Sequence, residues 1–291
     1  MDFKVKIKNF KDFSASKEIR AAFVGDIMQH EHQLEFEKSR NFSYEGVFDD
    51  MKDTFNSCDL VVGNLETVLH DEPLHGFPRF SAPSQLANVL KRAGFDVLIT
   101  CNNHSLDQGE VGVKQTYEDI LDAGMVPVGT LSATRKTFTI KGIDLTIHAW
   151  TTFMNPDTSG SAGTAGSPYI SFWDESKVAV QPGLNVAYIH CGKEYSTEKT
   201  PEQAKIEKFL REKGFNGVIF SHSHVPCPVI RDSNFFVTYG MGNFISDQEK
   251  LKKNLGNCVI VTFSSDNVKK IVTMETISSV KKDGETHVKF V

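Results

Sequence analysis

The sequence predicts an α/β fold with its polar functional residues at strand ends, and three observations carry that prediction. Short β-branched and aromatic runs recur along the chain, each stops abruptly at a polar cluster, and segments of helical periodicity lie between several of them. Arg20–Val24 ends in Gly25-Asp26, Leu60–Val62 in Gly63-Asn64-Leu65-Glu66, and Val97–Ile99 leads to Asn102-Asn103-His104. Val186–Ile189 ends in His190, Val218–Phe220 in Ser221-His222-Ser223-His224, and Phe235–Tyr239 in Gly242-Asn243. Brief apolar runs of this composition read as buried strands.

The helical segments follow from apolar spacing. Val47, Phe48, Met51 and Phe55 fall on one helix face, as do Leu86, Val89, Leu90 and Ala93, with Ser84 as candidate N-cap and Gly94 as stop. Val113, Tyr117, Ile120 and Leu121 repeat the pattern before Gly124. Thr200-Pro201-Glu202-Gln203 is a capping box with proline at the first helical position, opening a helix through Ile206, Phe209 and Leu210 to Gly214.

Strands alternating with helices argue for a largely parallel sheet. Lys136–Trp150 differs: Phe138, Ile140, Ile143, Leu145 and Ile147 alternate around Lys141-Gly142, which reads as a β-hairpin. The tail from Asn257 to Val291 reads similarly, so a second sheet or an extended sheet edge is expected. Asn155–Pro168, rich in Gly, Ser, Thr and Pro, reads as a long mobile loop or lid and not as a linker between domains. One domain over 1–291 is therefore expected.

Composition narrows the function classes. A net charge of −5 argues against nucleic-acid and anionic-membrane partners, which need a basic footprint. Five cysteines without a C-x-x-C pair argue against a disulfide framework and a cysteine zinc site. No stretch is apolar enough to span a bilayer, and MDFKVKIKNFKDF has no apolar signal core, so a cytoplasmic location is expected.

Ligands in open α/β sheets bind outside the carboxyl ends of the strands. A lone His or Asp at such a place is usually structural; five strands delivering metal-competent or proton-transfer residues to one edge of one sheet point to a site. Asp26, Glu66, Asn103 and several histidines offer mixed oxygen and nitrogen donors, suited to Mn, Fe or Zn more than to Ca. His222 and His224, two apart on an extended segment, share a face and can reach one centre.

The stretches GDIMQH (25–30), DLVVGNLET (59–67), FSAPSQLANVLKRAGFDVLITCNNHSLDQG (80–109), IHCGKEY (189–195), TPEQ (200–203), SHSHVPCPV (221–229) and YGMGNFISDQ (239–248) go further. Together they resemble the CapA, or poly-γ-glutamate capsule biosynthesis, family, which is related to the calcineurin-like metallophosphoesterases. The resemblance covers roughly residues 20–250. It implies an α/β/β/α sandwich with mixed sheets, a pair of divalent cations and an anionic small-molecule or polymer substrate. It also implies roles. Asp26 is similar to the first-motif ligand of one metal, Glu66 to a bridging carboxylate, and Asn103 to a ligand of the second metal. His190 and His222 would bind the second metal and His224 the first, with His104 as proton donor to the leaving group. Either metal-dependent phosphoester hydrolysis or a non-catalytic part in capsule-polymer synthesis, export or attachment fits the resemblance.

Departures from the metallophosphoesterase pattern fall mainly around substrate. Met28 stands where a His is usual, with His30 and His32 as substitutes or as plain loop residues. Ser81 replaces an Arg, with Arg79 close by; Cys191 replaces a Trp and Ser221 a Gly. Asp107 could orient His104 or cap the following helix. Asn243 could contact the site or shape a turn, and Glu194 and Tyr195 could line the pocket.

Overall fold

The computed structural model describes residues 17–71, 73–155, 167–248 and 254–291; the loop expected over Asn155–Pro168 and the segment before Lys17 fall largely outside these. The chain opens with β1 (Ile19–Ile27), α1 (Glu31–Ser39), α2 (Lys52–Asn56), β2 (Leu60–Leu65), α3 (Gln85–Ala93) and β3 (Val97–Ile99). It continues with α4 (Gly109–Asp122), β4 (Val126–Val128), β5 (Arg135–Ile140), β6 (Ile143–Thr151), β7 (Leu184–His190) and α5 (Pro201–Lys213). It closes with β8 (Gly217–Ser221), β9 (Val229–Asp232), β10 (Phe235–Thr238), β11 (Asn243–Ile245), β12 (Leu255–Phe263), β13 (Val268–Val280) and β14 (Thr286–Phe290).

Two mixed sheets result. The first runs β14-β13-β12-β1-β2-β3-β4, with β11 also pairing with β1; the second runs β5-β6-β7-β8-β10-β9. Strands β1 to β4 are parallel, whereas β12, β13 and β14 add antiparallel neighbours. In the second sheet β6, β7, β8 and β10 are parallel and β5 and β9 flank them antiparallel. Both expectations for the antiparallel pieces are met: Lys136–Trp150 enters the second sheet and the tail extends the first. The expectation that all the functional strand ends lie along one sheet is corrected, because β1, β2 and β3 belong to one sheet and β7 and β8 to the other.

Alternation along the strands builds the layers. On β1, Ile19, Ala21 and Phe23 face a core shared with Tyr188, Ile219 and Phe236 of the second sheet, while Ala22 and Val24 face Phe55, Leu86, Leu90 and Ile120 of the helices. On the far side, Ile189, Val218 and Phe220 pack against Ile206 and Leu210 of α5. The order is helix, sheet, sheet, helix. Tyr188 reaches across the inner layer, its hydroxyl donating to Val24 O at 2.9 Å.

The capping box forms as expected. Thr200 Oγ1 accepts from Gln203 N and Gln203 Oε1 accepts from Thr200 N. Gln203 Nε2 also donates to Cys191 O and Tyr239 O, tying the start of α5 to the ends of β7 and β10. Ser84, by contrast, does not cap α3 with its side chain; its hydroxyl donates to Asp119 Oδ2 on α4. The helix expected over Val47–Phe55 is confined to a 3-10 turn at Asp49–Met51 and the short α2, since positive φ at Asn41, Phe42, Tyr44 and Gly46 keeps the preceding chain irregular. Among the described residues, no helix is long and apolar enough to cross a membrane.

Candidate metal centre

The site lies at the seam between the two sheets. Asp26 sits in β1 beyond a register shift, opposite Asn64 of β2 and Asn243 of β11. Gly25 makes this possible, since a Cβ there would lie 2.0 Å from Gly242 O. Glu66 follows β2, Asn103 and His104 follow β3, His190 ends β7, and His222 and His224 follow β8. His222 (φ 89°) and His224 (φ 53°) both hold left-handed backbone, a conformation that costs on the order of 1–3 kcal/mol per non-glycine residue and clusters at functional sites.

Glu66 is the centre of the arrangement. Its Oε1 lies 3.7 Å from His224 Nε2 and 3.9 Å from His190 Nε2. Two sets of ligand atoms gather within 4.8 Å of one another, Asp26–Glu66–His190 and Glu66–His222–His224, and Glu66 belongs to both. Asn103 Oδ1 lies 2.7 Å from His190 Nε2. The structure thus brings together all six residues expected as ligands, every one of them buried.

Their surroundings prepare them as donors. His224 Nδ1 donates to Asn243 Oδ1 at 2.9 Å, which leaves its Nε2 with a lone pair; His190 Nδ1 lies 3.0 Å from the Ser221 hydroxyl, and its Nε2 donates to Asn103 Oδ1, a proton that a bound cation would displace. Asp26 Oδ2, 3.2 Å from His224 Nδ1, is off the hydrogen-bonding direction. Burial, reinforced by neighbouring imidazoles, holds His190 well below the ordinary histidine range and His222 at about 4. Burial also pulls on His224, but its contact with the Asp26 carboxylate outweighs it and raises the group. Glu66 is pushed well above the carboxylate range, first by burial and then by the charge of Asp26.

Such a cluster is costly unless something neutralises it. Asp26 Oδ2, Glu66 Oε1 and His222 Nδ1 are buried without a hydrogen-bond partner among the described residues. Two unpaired carboxylate oxygens gathered with an unpaired imidazole nitrogen fit a divalent cation.

Beside the cluster, His104 Nδ1 lies 2.7 Å from Asp107 Oδ2, which also accepts from Phe80 N. Asp107 therefore orients His104; Gln108, and not Asp107, stands at the start of α4. Phe80 packs edge-on to His104, with ring centroids 4.7 Å apart. Of the residues with open readings, Asn243 meets His224, Tyr195 lies 6.0 Å from the His224 ring, and the charge of Glu194 acts on Glu66 and His224. Cys191 points away, into the core under α5. His32 is exposed and pairs with Asp247.

Three participants escape sequence reasoning. Asn64 donates one amide to Asp26 Oδ1 at 2.8 Å and to Glu66 Oε2 at 3.1 Å. Asn155 accepts from Asn103 Nδ2 at 3.1 Å, and its own amide approaches the His104 ring. Phe153 covers His222, with centroids 4.6 Å apart. Only Asn64 carried a signal, its position within GNLE.

Two facing mixed sheets between helices, with Asp, Glu, Asn and His at the seam, define a metallophosphoesterase-type fold. The chain belongs to the bacterial capsule synthesis protein PGA_cap family, whose model matches residues 20–248. It is 24% identical over 261 residues to the PGA biosynthesis protein CapA of Bacillus subtilis, covering 84% of this chain and 66% of that protein. It is 24% identical to the capsule biosynthesis protein CapA of Bacillus anthracis, covering 80% and 61%. The chain thus spans less than two thirds of the length of these relatives. Among solved structures, it resembles a hypothetical protein from Thermus thermophilus (TM-score 0.57, 14% identity, 88% of this chain and 98% of that one). It also resembles a 5'-nucleotidase precursor from the same organism (TM-score 0.52, 13% identity, 89% and 54%).

Proposed function

We propose that this chain is a metal-dependent hydrolase of phosphoester type acting on an anionic small molecule or polymer, within a single domain over 1–291. The observation that carries the reading is Glu66, buried, shared by two ligand sets and grouped with three unpartnered buried polar atoms including its own Oε1. Asp26 and His224, 3.2 Å apart, would hold one Mn, Fe or Zn ion and Asn103, His190 and His222 a second, with Glu66 shared, although the most tightly gathered ligand atoms pair Asp26 with His190 and His222 with His224. When bound, such ions supply charge stabilisation for a phosphoryl group and activation of water. His104, oriented by Asp107, hands a proton to the departing oxygen, and Asn155 holds Asn103 beside it.

Metal analysis of protein purified without chelators, paired with Mn-supplemented hydrolysis of an aryl phosphodiester and monoester, tests this. About two ions per chain are expected from the two-metal arrangement, with turnover abolished and metal retained in His104→Ala. A protein that takes up no Mn, Fe or Zn and turns nothing over overturns the ligand assignment. The names of the Bacillus relatives favour a second reading, a non-catalytic part in building a capsule polymer such as poly-γ-glutamate; bound metal without turnover, in wild type and His104→Ala alike, would support it.

A further inference from the structure

We infer that His30 is a hydrogen-bond donor for a tetrahedral oxyanion at the rim of the centre, and not the imidazole ligand that Met28 leaves unfilled. The inference rests on the hydrolase reading only for the origin of that anion, the phosphoryl group of a substrate.

The backbone N–H of Asp247 donates to His30 Nδ1 across 3.1 Å. A backbone N–H can only donate, so Nδ1 holds a lone pair and the ring is neutral, with its single proton on Nε2. Burial agrees with this, pushing His30 down to about 4, with the charges of His224 and His104 adding to it and the Gln33 side chain opposing. A cation could replace that Nε2 proton only by leaving the ring an imidazolate, because Nδ1, facing a backbone N–H, cannot carry one. A metal-bound imidazole shows the reverse arrangement, its other nitrogen donating to an acceptor, as His224 Nδ1 does to Asn243 Oδ1. His104 likewise turns Nδ1 toward a carboxylate. His30 has the opposite polarity.

The placement gives that proton a use. Residues on both sides fix the ring: Asp247 N on its Nδ1 side, and Phe80 edge-on with centroids 5.4 Å apart. Phe80 is the same ring that packs on His104. Gln33 Oε1, the polar oxygen next along the chain, accepts from the backbone N–H of His30 at 2.9 Å. Nε2, on the far side of the imidazole from Nδ1, points away from Asp247. Phe80, in contact with both rings, sets His30 beside the proposed acid, His104. An N–H so placed, beside groups suited to an anion's reaction, is matched by an oxygen of that anion. The competing role is capping alone: His30 stands at the N-cap of α1 with extended backbone (φ −94°, ψ 166°) and forms a capping box with Gln33, its side chain facing the Gln33 backbone N–H.

His30→Asn separates these roles, because Asn is itself a favoured N-cap but is too short to place a donor where Nε2 lies. Inorganic phosphate is titrated calorimetrically into wild type and variant, each metal-free and Mn-loaded, and metal content is measured in parallel. Long-range 1H–15N spectra of the wild type report the tautomer. The expected result is an Nε2–H tautomer, unchanged metal content, and phosphate affinity about tenfold weaker in His30→Asn, the scale of one lost hydrogen bond to a charged group. Loss of metal in the variant, an Nδ1–H tautomer, or equal phosphate affinity in both proteins overturns the inference. So does a wild type that binds no phosphate. A wild type that binds phosphate but hydrolyses nothing overturns the hydrolase reading alone.

Discussion

His104 Nδ1 and Asp107 Oδ2 stand 2.7 Å apart, both side chains almost sealed from solvent, and the same carboxylate oxygen receives the N–H of Phe80. One oxygen therefore fixes both the imidazole and the chain that carries the aromatic ring packed on it. Asp107→Asn keeps the shape but replaces the carboxylate that holds His104 Nδ1 with an amide. Turnover is expected to fall about 10–100-fold, the usual loss on disturbing an orienting partner, with metal content unchanged. The loss should be greater for alkyl than for nitrophenyl phosphodiesters, because only the poorer leaving group needs the proton. Equal losses on both would argue against His104 as the acid.

Asn64 donates one amide to both Asp26 and Glu66. Replacing it by Ala leaves Asp26 and Glu66 facing each other without a donor. Mn affinity is expected to drop about 10–100-fold, and the metal-free protein should melt at a lower temperature. Titration of metal with a competing chelator reads the first effect and calorimetry the second; unchanged affinity would reduce Asn64 to a packing residue.

Metal removal should itself weaken the fold. A ligand bound by the native state alone contributes about 2.7 kcal/mol when present at a hundredfold its Kd. Melting temperature in Mn is expected to exceed that in chelator, and the gap should disappear in Glu66→Gln, whose neutral amide cannot serve both ligand sets. A gap of equal size in the variant would remove Glu66 from the centre of the site.

Far from the seam, His148 is fully buried against Trp150 and Phe215, with Nε2 2.9 Å from Asn185 Oδ1 and Nδ1 without a partner among the described residues. Burial lowers it from 6.5 to about 4. The unfolded chain then binds a proton that the folded chain refuses, so stability present above pH 6.5 is lost as pH falls toward 4. A shift of this size corresponds to a loss on the order of 3 kcal/mol. Urea unfolding across this range should show a shallower acid decline in His148→Phe than in wild type; parallel declines would show that other groups control acid stability.

The start of α5 offers a smaller, cleaner test. Thr200→Ala removes a side-chain cap and should cost about 1 kcal/mol. Gln203→Ala should cost more, because two backbone carbonyls, of Cys191 and Tyr239, lose their donor as well. Urea midpoints order the two variants, and the reverse order would show those carbonyls finding other partners.

Strand ends are legible in this sequence because burial on both faces makes an unbroken apolar run, and the first polar cluster marks where it leaves the core. Strand partners are not legible: nothing in Val186–Ile189 says that it lies in a different sheet from Leu60–Val62. Helix α1 hides for a different reason, its buried face being Gln33, Leu34 and Glu37, two of them polar, so no apolar stripe appears. β11 is too short to show a period, although it completes the setting of Asp26. Within the site, acids and histidines announce themselves by chemistry. Asn64 and Asn155 act only through the neighbours they meet, and Asn155 meets Asn103 from 52 positions away.

The seam location of the centre has a mechanical consequence. Asp26, Glu66 and Asn103 ride on one sheet and His190, His222 and His224 on the other, with the Tyr188 hydroxyl spanning the layer to Val24. A cation held among them would act as a rivet between two plates, strained by any sliding of one plate over the other. Occupancy and inter-sheet shear would then be coupled: a loosely riveted molecule should slip and shed its ions together, and a tightly riveted one should resist both.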